Sequence, residues 1–240
     1  MELVDFQTSF FCSTQNIIPS VDQTLKILNA YSGIGEQFFP GTFQVNNLDL
    51  ISNKLSSMTR ISLSFPDIKW SLMIPPERVD CNFKPERDVE QKPTINEVIQ
   101  NSLRIISPLI KAEGLNGSRM AINFKYLLPE TEQAQQTLPK ILRPFGQYLE
   151  NPVADFNVYL NTIIPITELG EKEVVNFITA ITYGKNLDQS FGNRLLISLD
   201  INTLPNNVDS RFTDESLQVF ASSVLPLINT QIASIEGIVE

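Results

Sequence analysis

The feature that most constrains this chain is a match to itself at one fixed offset. Shifted by 118 residues, Val4-Asp5-Phe6 falls on Ile122-Asn123-Phe124, Val79, Cys81 and Phe83 fall on Ile197, Leu199 and Ile201, and Pro108-Leu109-Ile110 falls on Pro226-Leu227-Ile228. A single shift that serves three separated segments in the same order implies a duplicated unit, so the fold of one half constrains the other.

Each half spells out the same run of elements. The first opens with an apolar strand around Leu3, Phe6 and Phe10-Phe11, and the second with one around Met120, Ile122 and Phe124. A helix follows near Pro19 to Tyr31, with Ser20 as its cap and Val21, Leu25 and Leu28 at helical spacing; its counterpart is expected near Thr131 to Tyr148. Ile61, Leu63 and Phe65 alternate with Ser62 and Ser64, Pro66-Asp67 turns the chain, and Ile68, Trp70, Leu72 and Ile74 carry the alternation back. After Pro75-Pro76, Val79, Cys81 and Phe83 form another strand, completing an antiparallel meander. The corresponding stretches of the second half are Val153 to Ile166, Val174 to Tyr183 and Arg194 to Ile201.

Both halves close with a long helix. The first, Thr94 to Glu113, starts with the capping box Thr94-Ile95-Asn96-Glu97, and the second spans Thr213 to Ala233. Pro108 and Pro226 occupy matching places inside them and are expected to bend or interrupt each helix, because proline lacks the donor the helix ladder needs. The predicted fold is α+β: residues 1–117 and 118–240 form two copies of a strand, helix, antiparallel meander, long helix unit, packed as one compact pseudo-symmetric body. This element order resembles the TATA-binding-protein-like and helix-grip class, in which a sheet wraps a long helix.

Composition narrows function more than fold. Histidine is absent, which removes Ser-His-Asp, Cys-His and HExxH sites and every His-containing zinc site, while carboxylate-metal chemistry and Lys or Tyr catalysis stay open. A net charge of −9 is unsuited to affinity built on neutralising phosphates, so a nucleic-acid partner is disfavoured and a basic or neutral one is the natural complement. Cys81 alternates with apolar residues and Cys12 ends an apolar strand, so both read as core positions; two cysteines cannot make a disulfide framework, which suits a reducing compartment. Glu2 and Asp5 stand where a signal peptide would carry Lys or Arg, and no apolar run is long enough to span a membrane, so the expected location is the cytoplasm.

The strand Arg119-Met120-Ala121-Ile122-Asn123-Phe124-Lys125-Tyr126 and the late strand Leu199-Asp200-Ile201-Asn202 resemble motifs of a sporadically distributed, uncharacterised prokaryotic family. Members carry an Arg-led strand with Asn and a Leu-Asp-Ile-Asp strand at similar places. The resemblance implies no established activity and an association with the mobile part of bacterial genomes, where defence and toxin-antitoxin modules lie.

Asp67 and Lys69 have the Asp-x-Lys spacing of a nuclease strand, but Asp67 is better read as the hairpin's turn residue and Lys69 as its solvent-facing neighbour. Alternation places Arg78, Asp80, Asn82 and Lys84 together, opposite Val79, Cys81 and Phe83; this is a candidate binding face or a solvated one. Asn116-Gly117-Ser118 reads as a helix-to-strand turn rather than a glycosylation acceptor. No catalytic, metal or cofactor set is nominated. The candidate binding residues are Arg60, Lys69, Arg78, Asp80, Lys84 and Arg119. They are weighed under two expectations: a non-enzymatic interaction or regulatory protein, the acidic partner in a bacterial defence or toxin-antitoxin module, and a helix-grip module for a small apolar ligand or nucleic acid.

Overall fold

A computed structural model of the chain describes residues 1–33, 38–49, 54–65, 69–86, 92–128, 140–141, 155–184 and 194–239. Phe6, Thr8, Phe10 and Cys12 alternate along the first strand, β1 (Glu2–Cys12), and all four are buried. That period-two pattern gives β1 one face for a core and one for something else. The same rule organises β2 (Phe39–Asp49), β3 (Lys54–Phe65), β4 (Trp70–Met73), β5 (Arg78–Phe83), β6 (Gly117–Leu127), β7 (Asp155–Pro165), β8 (Val174–Gly184) and β9 (Leu196–Thr203). These strands form one antiparallel sheet in the order β2-β3-β4-β5-β1-β6-β9-β8-β7. β1 and β6 are therefore central, and β2 and β7 are the outer strands among the described residues.

Three α-helices are described: α1 (Val21–Tyr31), α2 (Ile95–Glu113) and α3 (Asp214–Val239). Ser20 caps α1 by accepting from Gln23 N. The predicted capping box opens α2: the Thr94 hydroxyl accepts from Glu97 N at 3.2 Å, and the Glu97 carboxylate accepts from Thr94 N at 2.7 Å. The backbone N–H of Thr94 and then its hydroxyl hold the Glu97 carboxyl below its ordinary range. Gly114 closes the helix in the left-handed conformation at φ 60, with Leu115 N returning to Ile110 O.

α2 and α3 cover one face of the sheet. Val98, Ile99, Ile105, Ile106 and Leu109 from α2, and Leu217, Phe220, Val224 and Ile228 from α3, pack with Phe6, Phe10, Leu72, Val79, Cys81, Ile122, Phe124, Leu199 and Ile201 into one core. The expected apolar alternations at Ile61/Leu63/Phe65, Trp70/Leu72/Ile74 and Val79/Cys81/Phe83 all point into it. One polar pair sits in this interface. Thr8 Oγ1 lies 2.9 Å from Ser102 Oγ, which itself donates to Ile99 O, so both buried hydroxyls are satisfied.

Several expectations need amendment. Pro108 and Pro226 lie inside α2 and α3 without interrupting either helix. α3 runs to Val239, beyond the expected Ala233, because Ile232 and Ile235 continue its buried stripe. Strand β2 gives no alternation signal in the sequence of the first half. Its residues 39–49 include Pro40, Gly41 and two asparagines, which mask a strand signal. The turn at Pro66-Asp67 and most of the helix expected near Thr131 to Tyr148 lie outside the described residues; Lys140 and Ile141 of the latter are helical. No described helix is long and apolar enough to cross a membrane.

Candidate functional site

Since α2 and α3 take the face of Phe6, Thr8 and Phe10, the other face belongs to residues of opposite parity. Register assigns them strand by strand: Asp80 and Arg78 of β5 pair with Ser9 and Phe11 of β1, which pair in turn with Ala121 and Arg119 of β6. Lys125, Asn123 and Ala121 of β6 then oppose Ser198, Asp200 and Asn202 of β9. The described helices pack on the other side from this open face, which is polar at its centre, although Ser9, Asp80, Ala121 and Asn202 on it are themselves buried.

Phe11 is the exception, an aromatic ring on the polar face. It lies directly between Arg78 and Arg119 in the two ladders, with the guanidinium carbons 5.7 and 4.8 Å from its ring centroid. Guanidinium groups stack on aromatic faces through the ring quadrupole, which fixes both side chains in position. Arg78 is further held by its Nε donating to Asp80 Oδ2 at 2.7 Å, and Ser9 Oγ donates to Asp80 Oδ1 at 2.6 Å. Asp80 is thereby buried and fully engaged, not solvated as a surface reading of β5 expects.

Arg119 differs from Arg78. Its Nε is buried and has no hydrogen-bond acceptor among the described residues. A buried donor without an acceptor costs about 1–3 kcal/mol, and a planar guanidinium is shaped to bind a carboxylate through two parallel bonds. The site thus offers two cations oriented by one ring, while the Arg119 Nε itself is closed to solvent.

The six candidates separate into three places. Arg78, Asp80 and Arg119 converge on Phe11. Lys69 and Lys84 lie at the far end of β5, where Lys84 N donates to Lys69 O and Lys69 Nζ pairs with Glu86 Oε1 at 2.8 Å. Lys69 holds a left-handed backbone at φ 54, as a turn residue does, while Asp67 lies outside the described residues. Arg60 is buried. Its Nε donates to Ile74 O at 2.9 Å and its Nη2 to Thr14 O at 2.5 Å and Thr14 Oγ1 at 3.0 Å, so this arginine ties β3 to the segments after β1 and β4. Arg60 is therefore not presented on a surface, because backbone carbonyls consume its donors; burial also lowers its pKa.

Two neighbouring features share the open face. A cavity of about 250 Å³ lies among Asp5, Gln7, Asn123, Lys125, Ser198 and Asp200, spanned by the Lys125–Asp5 ion pair at 2.9 Å. An amide ladder runs outward from it: Asn161 donates to Asn176, Asn176 to Asn202, and Asn202 to Asp200. On the helix side, a shallow groove of about 740 Å³ is lined by residues including Gln100, Arg104, Lys111 and Gln218. Cys12 and Cys81 are buried, and burial pushes the Cys12 thiol up to about 12.

Phe11 and Ser9 escaped sequence reasoning. Phe10-Phe11 reads as one apolar block, yet the alternation of Phe6, Thr8 and Phe10 already puts Phe11 on the opposite face beside Gln7 and Ser9. Comparison of the chain with known protein families and with curated proteins finds no match.

Proposed function

We propose that this chain is a non-enzymatic interaction protein that engages another polypeptide through the open face of its sheet, with the Arg78–Phe11–Arg119 cluster as the anchor. The observation that carries this is the stack itself: Phe11 lies between Arg78 and Arg119 and orients both guanidinium groups, with their carbons 5.7 and 4.8 Å from its centroid. A partner carboxylate is the bidentate complement of a guanidinium held in this way. Nine strands spaced ~4.8 Å apart give a face ~38 Å across, enough for the ~800 Å² that each side of a stable complex covers. The net charge of −9 favours encounter with a partner that is basic overall, while the contact at Arg119 calls for one of that partner's acidic groups. The family resemblance adds a setting, a bacterial defence or toxin-antitoxin module in which this chain is the acidic partner.

The scaffold behind that face is, in the same proposal, a duplication of the TATA-binding-protein-like or helix-grip kind, with residues 1–117 and 118–240 as its copies. Its support is the offset of 118, which carries β1 onto β6, β2 onto β7, β3 onto β8, β5 onto β9 and α2 onto α3, with Pro108 onto Pro226. Outward from the central β1–β6 pair the sheet reads β5, β4, β3, β2 on one side and β9, β8, β7 on the other, so β4 is an addition to the first copy.

The test is capture from the native host with tagged wild-type chain and with Phe11→Ala and Arg119→Ala, each checked for folding by circular dichroism. The proposal expects a stoichiometric polypeptide with the wild type that both variants lose, and slower association as salt is raised. Stoichiometric nucleic acid or small molecule in place of a polypeptide, or capture indifferent to both variants, overturns it.

A further inference from the structure

The two outer strands of the sheet, among the described residues, are not alike. β2 carries Pro40 and Gly41, devices that blunt an edge against pairing. β7, Asp155–Pro165, has no glycine, its only proline is its last residue and its only charge its first. Tyr159, Leu160 and Ile163 are 59%, 59% and 61% exposed, on a strand whose neighbour β8 pairs with only one side of it. An edge strand leaves alternate backbone N–H and C=O groups unpaired, and a long, uncharged, apolar edge is a template for another strand.

We infer that the chain self-associates by antiparallel pairing of β7 with β7 of a second copy, about a two-fold axis at Asn161. A two-fold axis perpendicular to a sheet keeps each side chain on its own face, so paired residues must share parity and the axis must pass through a residue. At Asn161 the axis sets Tyr159 against Ile163 twice, on the open face, and Leu160 against Thr162 twice, on the other. It also sets Val158 against Ile164, and it leaves Asp155 beyond the last pair, so no carboxylate faces another. Moving the axis to Leu160 puts Tyr159 on Asn161 and Ile163 on Asn157, losing both apolar pairs. A second copy satisfies this spacing from both sides at once, which is the property of an isologous contact. One strand pairing buries less than the ~1,200–2,000 Å² of a standard stable interface, so the dimer is concentration-dependent.

Sedimentation velocity across a wide concentration range is expected to show a reversible monomer–dimer equilibrium, with Tyr159→Lys and Ile163→Lys each weakening it about tenfold or more. Asn161→Cys, at the axis, is expected to give a covalent dimer with a short bis-maleimide, whereas Asn157→Cys, whose opposite residue is Pro165, is not. The native thiols are buried and do not compete. A wild-type chain monomeric throughout, or a dimer that both lysine variants leave intact and Asn161→Cys fails to cross-link, overturns the inference. Arg119→Ala leaves this equilibrium unchanged, which separates it from binding at the open face.

Discussion

Arg119 of β6 sits directly across the ladder from Phe11 of β1, its guanidinium carbon 4.8 Å from the ring centroid. A stack at a partly exposed site is worth about 0.5–1 kcal/mol. Arg119→Ala is therefore expected to lower the free energy of unfolding in urea by no more than ~1 kcal/mol while abolishing partner capture. A drop of several kcal/mol would assign Arg119 to holding the fold.

Arg60 predicts the reverse. Arg60→Met keeps an apolar stem of similar length but leaves the carbonyls of Thr14 and Ile74 without the donors they now have. The expected cost is about 1–3 kcal/mol in urea unfolding, with partner capture by the folded protein unchanged. Lost capture at unaltered stability would return Arg60 to the binding face.

Gly117 is set by a close approach. A Cβ added there would stand 2.7 Å from Cζ of the buried Phe10 ring. Gly117→Ala is expected to destabilise the chain by about 1–3 kcal/mol, as overpacking does. Phe10→Leu combined with it should cost less than the sum of the single changes, because the two share one volume; strict additivity in urea unfolding would count against the contact.

The thiols make stability depend on alkaline pH. Burial raises the Cys12 thiol to about 12, and burial, with the Asp80 charge adding to it, raises Cys81. Unfolded thiols titrate near ~8.5, so above that pH the folded chain holds more protons than the unfolded one. Their contribution is complete below ~8.5 and is lost as pH rises towards the folded values, about 1.4 kcal/mol per pH unit for each thiol. Burial also raises the phenols of Tyr31 and Tyr126, which join above ~10. Stability measured between these limits should fall in the wild type and stay level in the Cys12→Ala, Cys81→Ala double variant; equal slopes would show that the thiols titrate alike in both states.

Much of the scaffold was legible because its signals are local. The capping box at Thr94, the alternations on β3, β4 and β5, and the burial of both cysteines depend on periods of two and 3.6 that a linear sequence displays directly. Polar insertions defeated the same reading at β2, where Asn46, Asn47 and Gly41 carry no alternation. Only Arg78, Asp80 and Arg119 of the six candidates met at one place, since charge type says that a side chain can bind but not where its neighbours will be.

The sequence by itself determined which residues of β3, β4 and β5 face the core, where α1 and α2 start, and that the chain carries no histidine, because these follow from spacing and composition alone. Only the tertiary structure decided that β5, β1 and β6 lie side by side, which sets Phe11 between two arginines distant from it in the chain. It likewise decided that Arg60 bends into backbone carbonyls and that β7 ends the described sheet. The physical reason is the same in each case. A strand's pattern fixes its faces, but the neighbour on each edge is chosen by long-range pairing, and that choice converts a residue type into a contact.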